Sequence, residues 1–176
     1  MRRPIRCFRS LHCRLFVLTL ALSRTAEGQS PGGHPSDSPP DTGFAALQSR
    51  GAQVMGVDQY SSVHRFDDLP DGGRIALERD STDTAGVRAI REHLAGIALE
   101  FAAGDFEEPG LVHEHEVPGT ATMRTRRAVI RYEFKLLPGG GEVRITTENQ
   151  EALEAVHTFL AFQRHEHHAG GMVHVH

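Results

Sequence analysis

Cysteine is scarce in this chain. Its 176 residues include only Cys7 and Cys13, and both precede the apolar stretch LFVLTLAL at residues 15–22. With that N-terminal segment removed on export, no thiol remains for a disulfide, a thiolate nucleophile or a lipid-anchored terminus. A small disulfide-scaffold module is thereby excluded. Long apolar runs are missing as well, because the stretch at 15–22 falls far short of the roughly 20 residues a membrane-spanning helix needs. Enzyme signatures are equally sparse: the one Gly-x-Ser-x-Gly string, residues 28–32, opens a Pro- and Ser-rich stretch without the strand and helix that a nucleophile elbow joins, and there is no His-Glu-x-x-His spacing. Glycines 139–141 lead into a strand pattern, so they read as a hairpin turn and not as a phosphate cradle, which needs a helix N-terminus. Basic charge is short too. Residues 1–28 hold six arginines against Glu27, which leaves 13 basic and 22 acidic side chains elsewhere, a net charge of −9 with His neutral. So acidic a chain is a poor candidate for nucleic acid, whose phosphates must be neutralised by Lys and Arg.

What is present begins with a leader. Arg2, Arg3, Arg6, Arg9 and Arg14 precede the apolar block, and small residues such as Ala26 and Gly28 follow it. That order predicts a secretory signal over residues 1–28 and a secreted or periplasmic protein with no membrane anchor after cleavage. A mitochondrial presequence is the rival reading, and a twin-arginine route is hinted at by Arg2-Arg3. Residues 29–42 (QSPGGHPSDSPPDT) have no apolar anchor and are expected to be a disordered spacer.

Residues 43–166 then carry the pattern of one α+β domain. Phe44, Leu47, Val54 and Met55 predict a short first helix ending at Gly56. Residues 60–69 and 74–80 alternate around a Pro-Asp-Gly-Gly turn, which predicts a hairpin. Asp83 can cap a helix carrying Val87, Ile90, Leu94, Ile97 and Phe101 on one face, with Gly104 placed to stop it. The second half repeats the scheme: alternation over 128–137, a Pro-Gly-Gly-Gly turn, alternation over 143–147, and a helix over 150–166. Two ββα units predict a four-stranded, mainly antiparallel sheet with the helices on one face. Between the units, residues 105–119 read as a long connection rich in acids and His, and a short helix is expected around Met123. Residues 167–176 read as a flexible, His-rich tail.

Twelve histidines stand out. A neutral imidazole serves as metal ligand or proton carrier near physiological pH. Five cluster at the end of the chain, at His165, His167, His168, His174 and His176. His113 and His115 lie in the sequence His-Glu-His-Glu, where an extended loop would point both at one cation. His157 falls inside the apolar stripe of the last helix and His93 at the edge of the corresponding stripe. Either could be a core histidine satisfied by one hydrogen bond, or both could share a site with His64 of the first hairpin and with Met123. Imidazoles with a thioether suit copper, and imidazoles with a carboxylate suit zinc. The segment Met55-Gly56-Val57-Asp58-Gln59 reads either as a binding loop offering Asp58 and Gln59 or as a plain connection.

The strings Met55-Gly56-Val57-Asp58-Gln59, His64-Arg65-Phe66, Asp71-Gly72-Gly73, Ile90-Arg91-Glu92-His93-Leu94, Gly104-Asp105-Phe106 and Ala155-Val156-His157 through Gln163 resemble a poorly characterised group of small exported bacterial proteins. The likeness covers residues 43–166 and implies export but no established activity. Some relatives carry the label aspartate carbamoyltransferase, yet that enzyme's Ser-Thr-Arg-Thr loop and His-Pro-x-Gln motif are absent from this chain.

Two functional readings follow. The first is an exported binding protein that holds a transition metal, copper or zinc, through His64, His93, His113 and His157. The second is a metal-free interaction module or homodimer that uses the uncovered face of the sheet; its outward Arg131, Glu133, Lys135 and Arg144 favour a wet face instead. An enzyme is the least supported reading, because no spacing asks for His113 and Glu116 as a catalytic pair.

Overall fold

The computed structural model describes residues 42–56 and 59–170, without the side chains of Met55 and Gln59. The leader, the spacer up to residue 41, Asp58 and residues 171–176 lie outside the described residues. Nine regular elements follow one another: α1 (Thr42–Met55), β1 (Ser62–Leu69), β2 (Gly72–Arg79), α2 (Thr84–Ala103), α3 (Glu107–His113), α4 (Thr120–Thr125), β3 (Ile130–Leu137), β4 (Gly140–Thr147) and α5 (Gln150–Glu166), among the described residues. The fold is α+β, as the pattern predicts. Its sheet has the order β1-β2-β4-β3, with every neighbouring pair antiparallel.

Local chemistry accounts for the boundaries. The Asp83 carboxylate accepts from the Gly86 N–H at the start of α2, and the Asn149 side chain accepts from the Ala152 N–H at the start of α5, each satisfying a donor that the helix cannot. Gly104 ends α2 in the left-handed conformation. Gly72 closes the first hairpin at φ 147°, where a Cβ would lie 2.0 Å from the Ile145 carbonyl oxygen. One element departs from expectation: the connection after α2 folds as α3, so His113 ends a helix instead of lying in an extended loop. Glu114 then turns left-handed at φ 61°. His115 is exposed while His113 is buried, so the two do not point the same way.

The core lies between the sheet and two helices. Phe66, Ile75, Leu77, Val143 and Ile145 meet Ile90, Leu94, Ile97 and Phe101 of α2 and Val156, Phe159 and Leu160 of α5. At about 25 cal/mol per Å² of apolar surface, this is where most of the stability resides. The helices are exchanged between the units: α2 lies mainly over β3 and β4, and α5 mainly over β1 and β2. Arginines fasten both. Arg91 of α2 donates to the Leu137 and Gly140 carbonyls of the second hairpin. Arg164 of α5 donates to the Phe66 carbonyl and to both oxygens of buried Asp68 on β1.

The opposite sheet face is occupied by the protein's own charges. Asp67, 2% exposed, accepts from Arg74, which also lies near Glu142. Arg144 bonds Asp71 and stands across from Glu133. The face is thus charged and paired within itself, exposed at Arg131, Glu133 and Lys135 of β3 and buried at Asp67. The chain continues packing past α5. The Ala169 N–H donates to the Arg164 carbonyl, and the Phe66 N–H of edge strand β1 donates to the Gly170 carbonyl, so residues 167–170 belong with the domain.

Candidate functional site

Strand alternation puts His64 and Phe66 on the helix-covered side of β1. The flank of α2 that faces β1 carries His93, and α3, which crosses in front, contributes Glu108 and the buried His113. The last residues of α5 bring Gln163 and His167. These side chains surround one small cavity of about 80 Å³, whose remaining walls are apolar, among them Leu77, Ile97, Phe101, Val112 and Phe159. Val54 of α1 completes the lining. That helix is held in place by Arg50, which donates to the Val112 carbonyl at 2.6 Å and pairs with Glu114 at 3.2 Å, and by Phe44 stacked on His168.

The imidazoles are close neighbours. The His113 and His167 rings are 5.2 Å apart, and those of His167 and His64 are 5.6 Å apart, centroid to centroid. His93 Nδ1 stands 3.5 Å from a Glu108 carboxylate oxygen, a contact without hydrogen-bond alignment, since that oxygen has no hydrogen-bond partner. His64 Nε2 is 3.1 Å from the Ser62 hydroxyl. His113 Nε2–H donates to the Gln163 amide oxygen at 3.3 Å. That bond sets the tautomer and leaves Nδ1 with a bare lone pair. Both His113 Nδ1 and His167 Nδ1 are buried with no hydrogen-bond partner among the described residues.

Burial keeps the group neutral, because an apolar surround disfavours the charged form. His64 is pushed down to about 4, by burial first and then by nearby His93. Burial lowers His93 to about 4 as well. His167 falls to about 3, again chiefly by burial, with His64, His113 and His168 adding to the shift. His113 is lowered by burial in spite of its bond to Gln163. Glu108 is shifted the other way, raised by burial and then by Glu100 and Asp105. Among the described residues, no group of three or more His, Cys, Asp or Glu side chains is already arranged to hold a metal ion. Ligation would therefore require the rings to turn about their side-chain torsions.

Three of the four histidines singled out in the sequence, His64, His93 and His113, come together here. His157 does not. Its Nε2 lies 3.0 Å from the Leu69 carbonyl oxygen and 2.9 Å from that of Gly72, where it ties α5 to the turn of the first hairpin. Met123 is fully buried in the core and does not line the cavity, so among the described side chains no thioether stands beside the imidazoles. Asp58 lies outside the described residues, and Gln59 opens a short 3-10 turn before β1. His167, Gln163 and Glu108 are the participants that sequence reasoning missed. His167 had a detectable signal: it follows Gln163 by one helical turn, on the stripe of Val156, Phe159 and Leu160, which continues past the nominal end of α5. No known protein family, curated protein or solved structure matches this chain, so the chemistry of the cavity is read from its own residues.

Proposed function

We propose that the chain is an exported binding protein for a d-block cation of the copper or zinc class, held by His64, His93, His113 and His167. The observation that carries this reading is the convergence of four neutral imidazoles from three helical or strand elements and the end of α5 on one small apolar cavity, two of them with buried, partnerless Nδ1 atoms. A buried polar atom without a partner costs about 1–3 kcal/mol, and two of them belong to rings whose centroids are 5.2 Å apart at one cavity. A cation would use the bare lone pair of His113 and, in the matching tautomer, that of His167. His113 has the arrangement of a metal-ligating histidine, with one ring nitrogen donating to a neighbouring oxygen and the other left to coordinate. Small size agrees: a cavity of about 80 Å³ accepts an ion with little else, whereas pockets for organic ligands occupy roughly 300–1,000 Å³. With Met123 elsewhere, nitrogen ligands and the Glu108 carboxylate at the rim favour zinc or Cu(II) over Cu(I). Export rests on the arginine-rich, apolar leader.

The test uses full-length protein with His12, His34, His174 and His176 changed to Asn and Cys7 and Cys13 to Ser, which removes the histidines and thiols outside the described residues. Zn²⁺ and Cu²⁺ are titrated by calorimetry, and melting is followed with and without chelator. One equivalent should bind more tightly than micromolar, and at 100-fold excess over Kd the stabilisation should reach about 2.7 kcal/mol. His113→Ala and His167→Ala should abolish the metal response, and His157→Leu should keep it. Identical melting in metal and in chelator would end the proposal.

A further inference from the structure

The two edges of the sheet are treated differently. On β1 the outward Phe66 N–H and carbonyl are taken by Gly170 and Arg164. On β3 no described residue pairs with the outer side. An uncovered eight-residue edge without proline or bulge is a template for another strand. Thr147 N–H donates towards β2, to the Asp71 carbonyl. Alternation along β4 therefore sends its even-numbered residues towards β3, and through the register Arg131↔Thr146 the odd-numbered residues of β3 are the ones bonded to β4. The free donors and acceptors on the outer edge belong to Tyr132, Phe134 and Leu136.

We propose that β3 pairs antiparallel with β3 of a second copy, on a two-fold axis through Phe134, to give a continuous eight-stranded sheet. Backbone parity permits an axis at a residue and forbids one between residues, and charge and overlap choose among the central positions 132 to 135. An axis at 135 pairs only residues 133–137 and sets Lys135 against its own copy. An axis at 133 sets Glu133 against its own copy and Arg131 against the partner's Lys135. An axis at 132 pairs only residues 130–134. The axis at 134 pairs residues 131–137, sets Tyr132 opposite the partner's Leu136, which is 67% exposed in the single chain, and places Glu133 opposite the partner's Lys135 twice. Directly opposed side chains lie about 4.5–5.5 Å apart, within reach of an ion pair. Glu133 and Lys135 lie on the open face, 3.4 Å apart within one strand; the dimer exchanges that contact for two across the axis, and the rest of the open face has no part in it.

Lys135 is the only lysine in the chain, and Glu133 and Lys135 are 68% and 46% exposed, so both can be changed without touching the core. Full-length protein in chelator, which removes any metal bridge, is examined by sedimentation equilibrium. Equal amounts of ¹⁴N- and ¹⁵N-labelled chains are then joined by carbodiimide. A dimer is expected, with mixed-isotope peptides linking Lys135 to Glu133. Glu133→Lys should weaken it by at least about tenfold through like-charge opposition, and Glu133→Lys with Lys135→Glu should restore it, circular dichroism showing each variant folded. A monomer at the highest soluble concentration would overturn the proposal. So would a dimer indifferent to Glu133→Lys, or one whose mixed-isotope links avoid this pair.

Discussion

In the first ββα unit the hairpin turns at Pro70 and Asp71 and the helix starts on Asp83; in the second the hairpin turns at Pro138 and Gly139 and the helix starts on Asn149. Their local chemistry is nearly the same, yet their histidines do opposite things. His93 of α2 faces a cavity beside an unbonded carboxylate oxygen. His157 of α5 is held between two backbone carbonyls. The two are not equivalent positions: counted from the caps at Asp83 and Asn149, His157 matches Arg91 and His93 matches Phe159. Arg91 and His157 act alike, each bonding the Leu and Gly carbonyls at the turn of the hairpin its helix covers. The repeat is thus kept in space, and the first unit differs by placing a histidine at the cavity where the second has a core phenylalanine.

The largest expected contrast is in pH dependence of the metal-free protein. The ordinary value for the buried histidines is 6.5, and His64 and His93 fall to about 4 when folded. As pH drops below 6.5 the unfolded chain takes up protons that the folded chain refuses. Stability is thus fully present above about pH 6.5 and is lost progressively towards pH 4. At about 1.4 kcal/mol per pKa unit the loss amounts to several kcal/mol. Urea midpoints measured in chelator across this range should show it, and His93→Leu should make the slope shallower. A flat profile would mean that the cavity side is open to solvent.

The fastenings of the two helices give the next contrast. Arg164 pairs with Asp68, and both are nearly buried, with side chains 12% and 6% exposed. Asp68→Ala leaves a buried guanidinium uncompensated and should cost about 3–5 kcal/mol. Arg91 bonds only neutral carbonyls, so Arg91→Ala should cost about 1–2 kcal/mol. Denaturant titration of both variants checks the order, and equal losses would remove the distinction.

The smallest effect belongs to His157→Leu. Judged from the apolar stripe alone, the substitution should be neutral or stabilising. With its ring bonded to the hairpin turn, it should instead destabilise by about 1 kcal/mol, and by the same amount in metal and in chelator. Melting curves of wild type and variant under both conditions decide this.

Much of the fold was legible. The alternation of Ile130, Tyr132, Phe134 and Leu136, the turn glycines, and the cap at Asp83 act within a few residues of themselves, so a linear reading finds them. Helix α3 was missed because Pro109 and Gly110 interrupt it; both disfavour helix interiors, and its stability comes from burying Val112 and His113 against the rest of the domain. Among the histidines, periodicity could say that His64, His93 and His157 lie on inward or boundary faces. It could not say which faces meet.

The sequence by itself determined every element but α3, the two hairpins, the charged open face and the pool of imidazoles, because each depends on near neighbours along the chain. Only the tertiary structure decided that α2 and α5 exchange hairpins. The same packing excluded His157 and Met123 from the site, and it brought His167, assigned to the tail from sequence, against His64 and His113. The physical reason is that a one-dimensional pattern specifies which side of an element is apolar, whereas the partner of that side is chosen by the packing of the whole core.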